Sequence, residues 1–93
     1  MHAPVISISM PAYNVEKYIG EAIESIVAQT FTDWELIIVD DCSKDKTLAI
    51  ASEYAAKDSR IRIIKRNENS GSVRLPRLDG VMAAHGTYIC AID

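Results

Sequence analysis

Two phosphate-handling signatures are missing from this sequence. No Gly-x-Gly-x-x-Gly follows its first strand-like run and no Gly-Lys-Ser/Thr loop occurs anywhere, so nicotinamide-dinucleotide and P-loop NTPase chemistry lose their main support. Positive charge is not in excess either. Ten Lys and Arg stand against 13 Asp and Glu, a formal net charge of -3, which removes the basic footprint that binding to a nucleic-acid backbone requires. No apolar run approaches the roughly 20 residues of a membrane span, and the opening "MHAPVISISM" has neither the basic start nor the apolar length of a signal peptide. Cysteine is scarce: Cys42 and Cys90 lie far apart with no metal-ligand spacing, so buried, reduced thiols are expected rather than a disulfide. His2 and His85 have no companion ligand nearby in sequence, and neither is assigned a metal or catalytic role.

What is present is the composition of a folded protein. Of 93 residues, 48% are hydrophobic and 25% charged, enough for one small domain and too apolar for disorder. Residues 5–10, "VISISM", read as a strand that Pro11 should close, since proline offers no ladder donor. From Asn14, a candidate N-cap, Val15, Tyr18, Ile19, Ala22, Ile23, Ile26 and Val27 recur at helical spacing, which predicts a helix with one apolar face. "ELIIVD" holds four consecutive apolar residues, Leu36 to Val39, the mark of a strand covered on both faces. A second helix over Thr47 to Lys57, capped by Ser43 or Asp45, precedes a third short strand, "IRIIK". A third helix from about Arg74 to His85, interrupted by Pro76 and Gly80 and stopped by Gly86, leads to a fourth strand, "TYICAI". Met10 and Met82 read as core filler. Strands alternating with helices imply an α/β fold: a Rossmann-like, doubly wound, mainly parallel sheet of about four strands with three helices.

In such sheets ligands bind beyond the carboxyl ends of the strands. Four segments meet there: "PAYN", "DDCS", "RNENSGS" and Asp93. Adjacent Asp40 and Asp41 repel unless donors or a cation face them. Two readings are open, a binding role or the shaping of the turn into the second helix. Tyr13 is either a packing residue or a ring on which a base stacks. Arg74 and Arg77 are either a solvated face or phosphate ligands.

Together, "ISMPAYNVEKYIGEAIESIVAQTFTDWELIIVDDCSKDKT", "NSGS", "PRLDG" and "AHGTYICAID" resemble family 2 glycosyltransferases of the GT-A fold, over nearly the whole chain. The resemblance implies an inverting enzyme that passes a sugar from a nucleoside-diphosphate donor, uridine-linked by family habit, to an acceptor hydroxyl in polysaccharide or glycoconjugate synthesis. It implies that Pro11 and Tyr13 belong to the first nucleotide loop and Asp40 and Asp41 to the Asp-Asp-x-Ser motif, with Asp41 on the base. Arg77 matches the arginine of an Arg-Asn-x-Gly motif, although Leu78 stands where asparagine is usual and Pro76 precedes it. Asp93 matches the first aspartate of the Asp-x-Asp motif that holds Mn2+ or Mg2+ on the diphosphate.

Residues 1–93 are accordingly expected to be the nucleotide-sugar-binding part of a glycosyltransferase domain, cut at the start of Asp-x-Asp and inactive alone, with the general base beyond residue 93. The implied partners are a nucleoside-diphosphate sugar and an acceptor glycan or lipid-linked sugar. The expected location is cytoplasmic, or the cytoplasmic face of the membrane for a longer protein. Two alternatives from other classes are a phospho-receiver domain and a non-catalytic interaction module. A receiver wants its phospho-accepting aspartate after the third strand, where this chain reads "IIKRN".

Overall fold

Strand and helix alternate throughout the chain. The computed structural model describes residues 4–69, 71, 74–86 and 88–91, with backbone alone at 74, 77 and 91. Its elements are β1 (Ile6–Ala12), α1 (Ile19–Val27), β2 (Trp34–Asp40), α2 (Thr47–Lys57), β3 (Ile61–Lys65), α3 (Arg74–Met82) and β4 (Tyr88–Ala91). All pairings are parallel, and the strand order is β3-β2-β1-β4. The doubly wound α/β fold expected from the sequence is the fold observed. The order also decides against a receiver domain, whose sheet runs 2-1-3-4-5. Here β1 pairs with β2 and β4, which puts the reversal of strand order, the usual ligand crevice, between β1 and β4.

The two faces of the sheet differ. Side chains alternate along a strand, so Ile8 and Met10 of β1 and Leu36 and Ile38 of β2 point the same way and join Ile19, Ile23 and Ile26 of α1 and Ala51 of α2 in one apolar cluster. On the opposite face Ser7, Ser9 and Glu35 are buried, and there α3 packs. A Cβ added at Gly80 would fall 2.0 Å from Ser9 Oγ and 3.4 Å from Val39, so a bare glycine lets the helix backbone approach a strand of small residues. Ser7 Oγ donates to Glu35 Oε2 at 2.5 Å and accepts from the Gly86 amide at 2.7 Å. The Glu35 carboxylate also receives the His85 amide at 2.6 Å and Arg62 at 2.8 Å. Ser7, Glu35, Arg62 and the His85 and Gly86 amides are thus paired with one another, as burial requires.

Several expectations need correcting. Pro11 does not close β1, because the strand runs on to Ala12. The Asp41 amide donates to the Ala12 carbonyl at 2.9 Å, so by alternation the position of the missing Pro11 N–H lies on the β4 side, past Ser9 and Ala91, the last described pair there. Asn14 is not the N-cap of α1, whose first residue is Ile19. A turn intervenes, with the Tyr18 and Ile19 amides donating to the Val15 carbonyl at 2.9 Å. Helix α3 ends at Met82 rather than His85. Met82 is 81% exposed and shares an outer helical face with exposed Leu75 and Leu78, since Pro76 and Gly80 on the other side take the packing contacts. Neither thiol is buried: Cys42 is intermediate and Cys90 exposed, and both are free.

Candidate functional site

The register of β1 and β2 brings the first two loops together. Ala12 lies opposite Asp40, so Tyr13 and Asp41 leave neighbouring strands at the same height. The Tyr13 side chain is 43% exposed while Asp41 is 3% exposed. An open aromatic surface therefore stands near a buried acid. Asn14 at φ 52° and Cys42 at φ 63° turn both loops sharply, conformations that cost a non-glycine residue energy and need neighbours to hold them.

Those neighbours come from the opposite loop. The Asn14 amide donates to Ser43 Oγ at 3.0 Å, and the Lys44 amide donates to Asn14 Oδ1 at 2.8 Å. The Val15 amide donates to Thr47 Oγ1 at 2.8 Å and the Glu16 amide to Asp45 Oδ2 at 3.2 Å. Asp45 also accepts from the Thr47 amide and hydroxyl at 2.9 and 2.6 Å, but it lies one residue before the N-cap of α2, which is Lys46 and makes no side-chain cap bond, so the cap expected from Ser43 or Asp45 is not the one observed. Burial acts most strongly on the Asp45 carboxyl and pushes the pKa up, but the donors together hold it below the ordinary value. Ser43, offered as a cap for α2, serves the first loop instead.

Asp41, at the end of β2, is tied to the ends of β1 and β3. Its amide reaches Ala12, and its carbonyl accepts from Asn69 Nδ2 at 3.1 Å. Its carboxylate lies 3.2 Å from Arg66 Nε. Arg66 follows β3, donates its own amide to the Asp40 carbonyl at 2.8 Å, and extends Nη1 to Asp79 Oδ2 of α3 at 2.5 Å. The repulsion expected between adjacent carboxylates is therefore met by a cation on Asp41 and by the Ser43 amide, 3.3 Å from Asp40 Oδ2. That last bond gives Asp40 its turn-shaping role. The other oxygen of Asp40, Oδ1, is buried without a hydrogen-bond partner among the described residues.

Pro11, Tyr13, Asp40 and Asp41 thus converge at the carboxyl ends of β1 and β2. Arg77 is placed by its backbone in α3, with its side chain outside the description, and Asp93 lies outside the described residues. No group of three or more metal-ligating side chains occurs among the described residues. Sequence reasoning missed Arg66 and Asn69. The available signal was their position in "RNENSGS", directly after an apolar strand.

A cavity of about 560 Å³ lies at the opposite, amino ends of the strands, lined by Trp34, Glu35, Arg60 and Arg62 among others. Size does not make it the reacting site, because its charges are spent internally. Arg60 stacks 3.9 Å over Trp34 and pairs with Asp58 at 2.7 Å, while Arg62 pairs with Glu35. At the strand ends, by contrast, exposed Tyr13 stands beside buried Asp41.

Comparison with known proteins bears on this geometry. A family model described as Glycosyl transferase family 2 matches residues 7–93. The chain is 43% identical over 90 residues to EpsJ of Bacillus subtilis, described as an uncharacterized glycosyltransferase, covering 97% of this chain and 26% of that protein. It is 42% identical over 90 residues to a poly(ribitol-phosphate) beta-glucosyltransferase of Bacillus spizizenii, covering 95% of this chain and 14% of that one. Among solved structures, S. aureus TarS 1-349 in complex with UDP superposes with a TM-score of 0.89 at 35% identity, over 96% of this chain and 27% of TarS 1-349. The chain therefore spans about a quarter or less of the length of these relatives.

Proposed function

The chain belongs to glycosyl transferase family 2, and we propose that it forms the surface on which a glycosyltransferase holds the nucleoside of a nucleoside-diphosphate sugar. The observation that carries this reading is the juxtaposition of exposed Tyr13 and buried Asp41, fixed by the 2.9 Å bond between the Asp41 amide and the Ala12 carbonyl. Tyr13 offers a ring for base stacking, worth about 1 to 3 kcal/mol per base in comparable sites. Asp41 accepts an N–H from the base edge, and Arg66 holds its carboxylate in place. Because the cross-loop bonds already exist without ligand, little ordering remains to be done on binding.

The donor we propose is uridine-linked, in keeping with TarS, which has been solved with UDP and with UDP-GlcNAc. The sugar passes with inversion to an acceptor hydroxyl of a glycan or lipid-linked sugar, in polysaccharide or glycoconjugate synthesis. Residues 1–93 would supply the nucleotide-binding share of this work, with the general base outside them. A divalent cation, Mn2+ or Mg2+, would neutralise the charge that develops on the departing diphosphate. The described residues do not compose a site for it, and Asp93 is the carboxylate proposed to contribute. We place the enzyme in the cytoplasm or at the cytoplasmic membrane face. No helix among the described residues is long and apolar enough to cross a membrane.

The test is an amide NMR titration of the 93-residue chain with UDP, GDP and CMP, each with and without Mg2+. Shifts confined to the surroundings of Tyr13 and Asp41 are expected. A folded spectrum untouched by every nucleotide at millimolar concentration would replace this reading with that of an interaction module.

A further inference from the structure

We propose that Arg66 and Asp79 are positioning residues, whose ion pair holds α3 at a fixed place beside the strand ends so that one donor is gripped by its base and its diphosphate together. The inference rests on the nucleoside reading above and extends it to the phosphate side of the same donor.

Two arginines tie α3 to the sheet from β3. Arg66 directly follows that strand: its amide donates to the Asp40 carbonyl at 2.8 Å, and its Nη1 meets Asp79 Oδ2 at 2.5 Å. Arg62, four residues earlier, donates from Nη2 to the Ala83 carbonyl at 2.7 Å and to Glu35 Oε1 at 2.8 Å. The Ala83 amide continues the helical ladder to the Asp79 carbonyl at 3.1 Å, so the two tied residues are about one turn apart on one side of the helix. Between helix and sheet the close contact is made by Gly80, where even a Cβ would clash with Ser9. Such a contact sets how near the helix comes, but it has no side chain to key the helix against sliding along the strands. The arginines supply that key.

The ties differ in where they lie. Arg62 belongs to the Glu35 network at the amino ends of the strands, remote from the proposed site. Arg66 stands among the carboxyl ends, with Nε 3.2 Å from Asp41 Oδ1 in an ion pair. One guanidinium therefore links the acid beside Tyr13 to the helix that follows the loop after β3, on the side where ligands of such sheets bind. A base and its diphosphate are joined by one ribose, so the surfaces that hold them must keep a set separation. Binding without reordering requires that separation to exist beforehand. Charge alone argues against Asp79 in such a place. Its side chain is 38% exposed and its carboxylate repels a diphosphate, so removing it should strengthen UDP binding if it acted only as a charge. Positioning predicts the opposite sign.

The experiment measures dissociation constants of UDP and of uridine by amide NMR titration for the wild-type chain, Asp79→Asn and Arg62→Met. Wild type is expected to bind UDP more tightly than uridine. Asp79→Asn should weaken UDP about two- to fivefold, the range open to an ion pair at this exposure, and leave uridine unchanged. Arg62→Met loosens α3 at the far end, and should lower stability toward urea with both constants as in wild type. Should Asp79→Asn fail to fold, Arg66→Lys keeps a cation beside Asp41 but cannot span to Asp79 as well, and should weaken UDP selectively in the same way. UDP binding that is unchanged or tighter in the variant that folds overturns the positioning role. So does an equal loss for UDP and uridine, or the same selective loss in Arg62→Met. Wild type that binds UDP no better than uridine also overturns it, with the nucleoside site intact. Wild type that binds neither overturns the nucleoside reading itself.

Discussion

Asn14 and Lys44, which belong to different loops, are joined by a 2.8 Å hydrogen bond from the Lys44 amide to the Asn14 side-chain oxygen. The Asn14 amide returns a bond to Ser43, so the residue after Tyr13 and the residues after Asp41 hold each other. Asparagine suits the position because it tolerates positive φ better than other side chains bearing a Cβ, while supplying an acceptor.

Two substitutions separate these contributions. Asn14→Gly keeps the permitted backbone and loses the acceptor, and should cost about 1 kcal/mol. Asn14→Ala loses the acceptor and adds left-handed strain, and should cost about 2 to 3 kcal/mol. Urea unfolding of both variants measures the difference. Equal stabilities would mean that the Asn14 backbone relaxes out of its φ of 52°.

Gly80→Ala should be among the most damaging single-methyl additions in the chain. The new Cβ would meet Ser9 Oγ at 2.0 Å and Ser9 Cβ at 2.8 Å, so α3 must lift from the sheet, at a cost of about 2 to 3 kcal/mol. Ser9→Gly in the same chain removes both clashing atoms and should recover most of that loss. A double variant as unstable as Gly80→Ala alone would place the damage elsewhere than at this helix–strand contact.

The seven elements were legible because periodicity is a local property. The burial of β2 follows from the apolar run Leu36 to Val39, whereas Glu35 is buried because Ser7, Arg62 and the His85 amide donate to it. The limits of α2 and β3 fell where helical spacing and strand formers placed them. Pro11, Asn14 and Met82 were misread because their roles depend on partners distant in sequence. Whether a proline is tolerated in a strand depends on which neighbour its missing donor faces, and that is set by the strand order. Asn14 has the composition of a helix cap and spends it on a loop 30 residues away. Tyr13 and Asp41 could be found from their placement at strand ends and from family resemblance. Arg66 could be placed at a strand end by its position after β3, but only the fold brings it to Asp41 and Asp79.

Asp41→Asn and Tyr13→Ala should separate two parts of nucleotide binding. Asp41→Asn removes the charged acceptor and leaves Arg66 facing Asp79 alone, so UDP affinity should fall about tenfold or more and stability by about 1 to 3 kcal/mol. Tyr13→Ala removes an exposed ring, so affinity should fall by a similar factor with stability nearly unchanged. Calorimetric titration with UDP beside urea unfolding distinguishes these outcomes. If Tyr13→Ala instead destabilised the fold and left UDP binding untouched, the ring would be a packing element.

Acid sensitivity should originate at Asp45, beside the proposed nucleotide site, and at Glu35 and Asp58 at the opposite end of the sheet. Burial pushes the Glu35 carboxyl up, yet donors from Ser7, the His85 amide and Arg62 outweigh it, and the pKa lies below its ordinary value of 4.5. Asp58 is held below its ordinary value of 3.8 chiefly by its hydrogen bonds from Arg60, against a smaller opposing effect of burial. When a folded pKa is depressed, the unfolded chain takes up the proton first. The stabilisation is therefore complete above the unfolded pKa and is lost as pH falls through the lower folded one. Stability should be level toward neutral pH and decline below about pH 4.5, by linkage at these groups. Glu35→Gln keeps the shape and an acceptor oxygen but has no proton to gain. It should be less stable than wild type at pH 7 and show a shallower decline in acid, with the two curves converging. Urea midpoints from pH 7 to pH 3 provide the comparison, and parallel curves would assign the acid limb to groups other than Glu35.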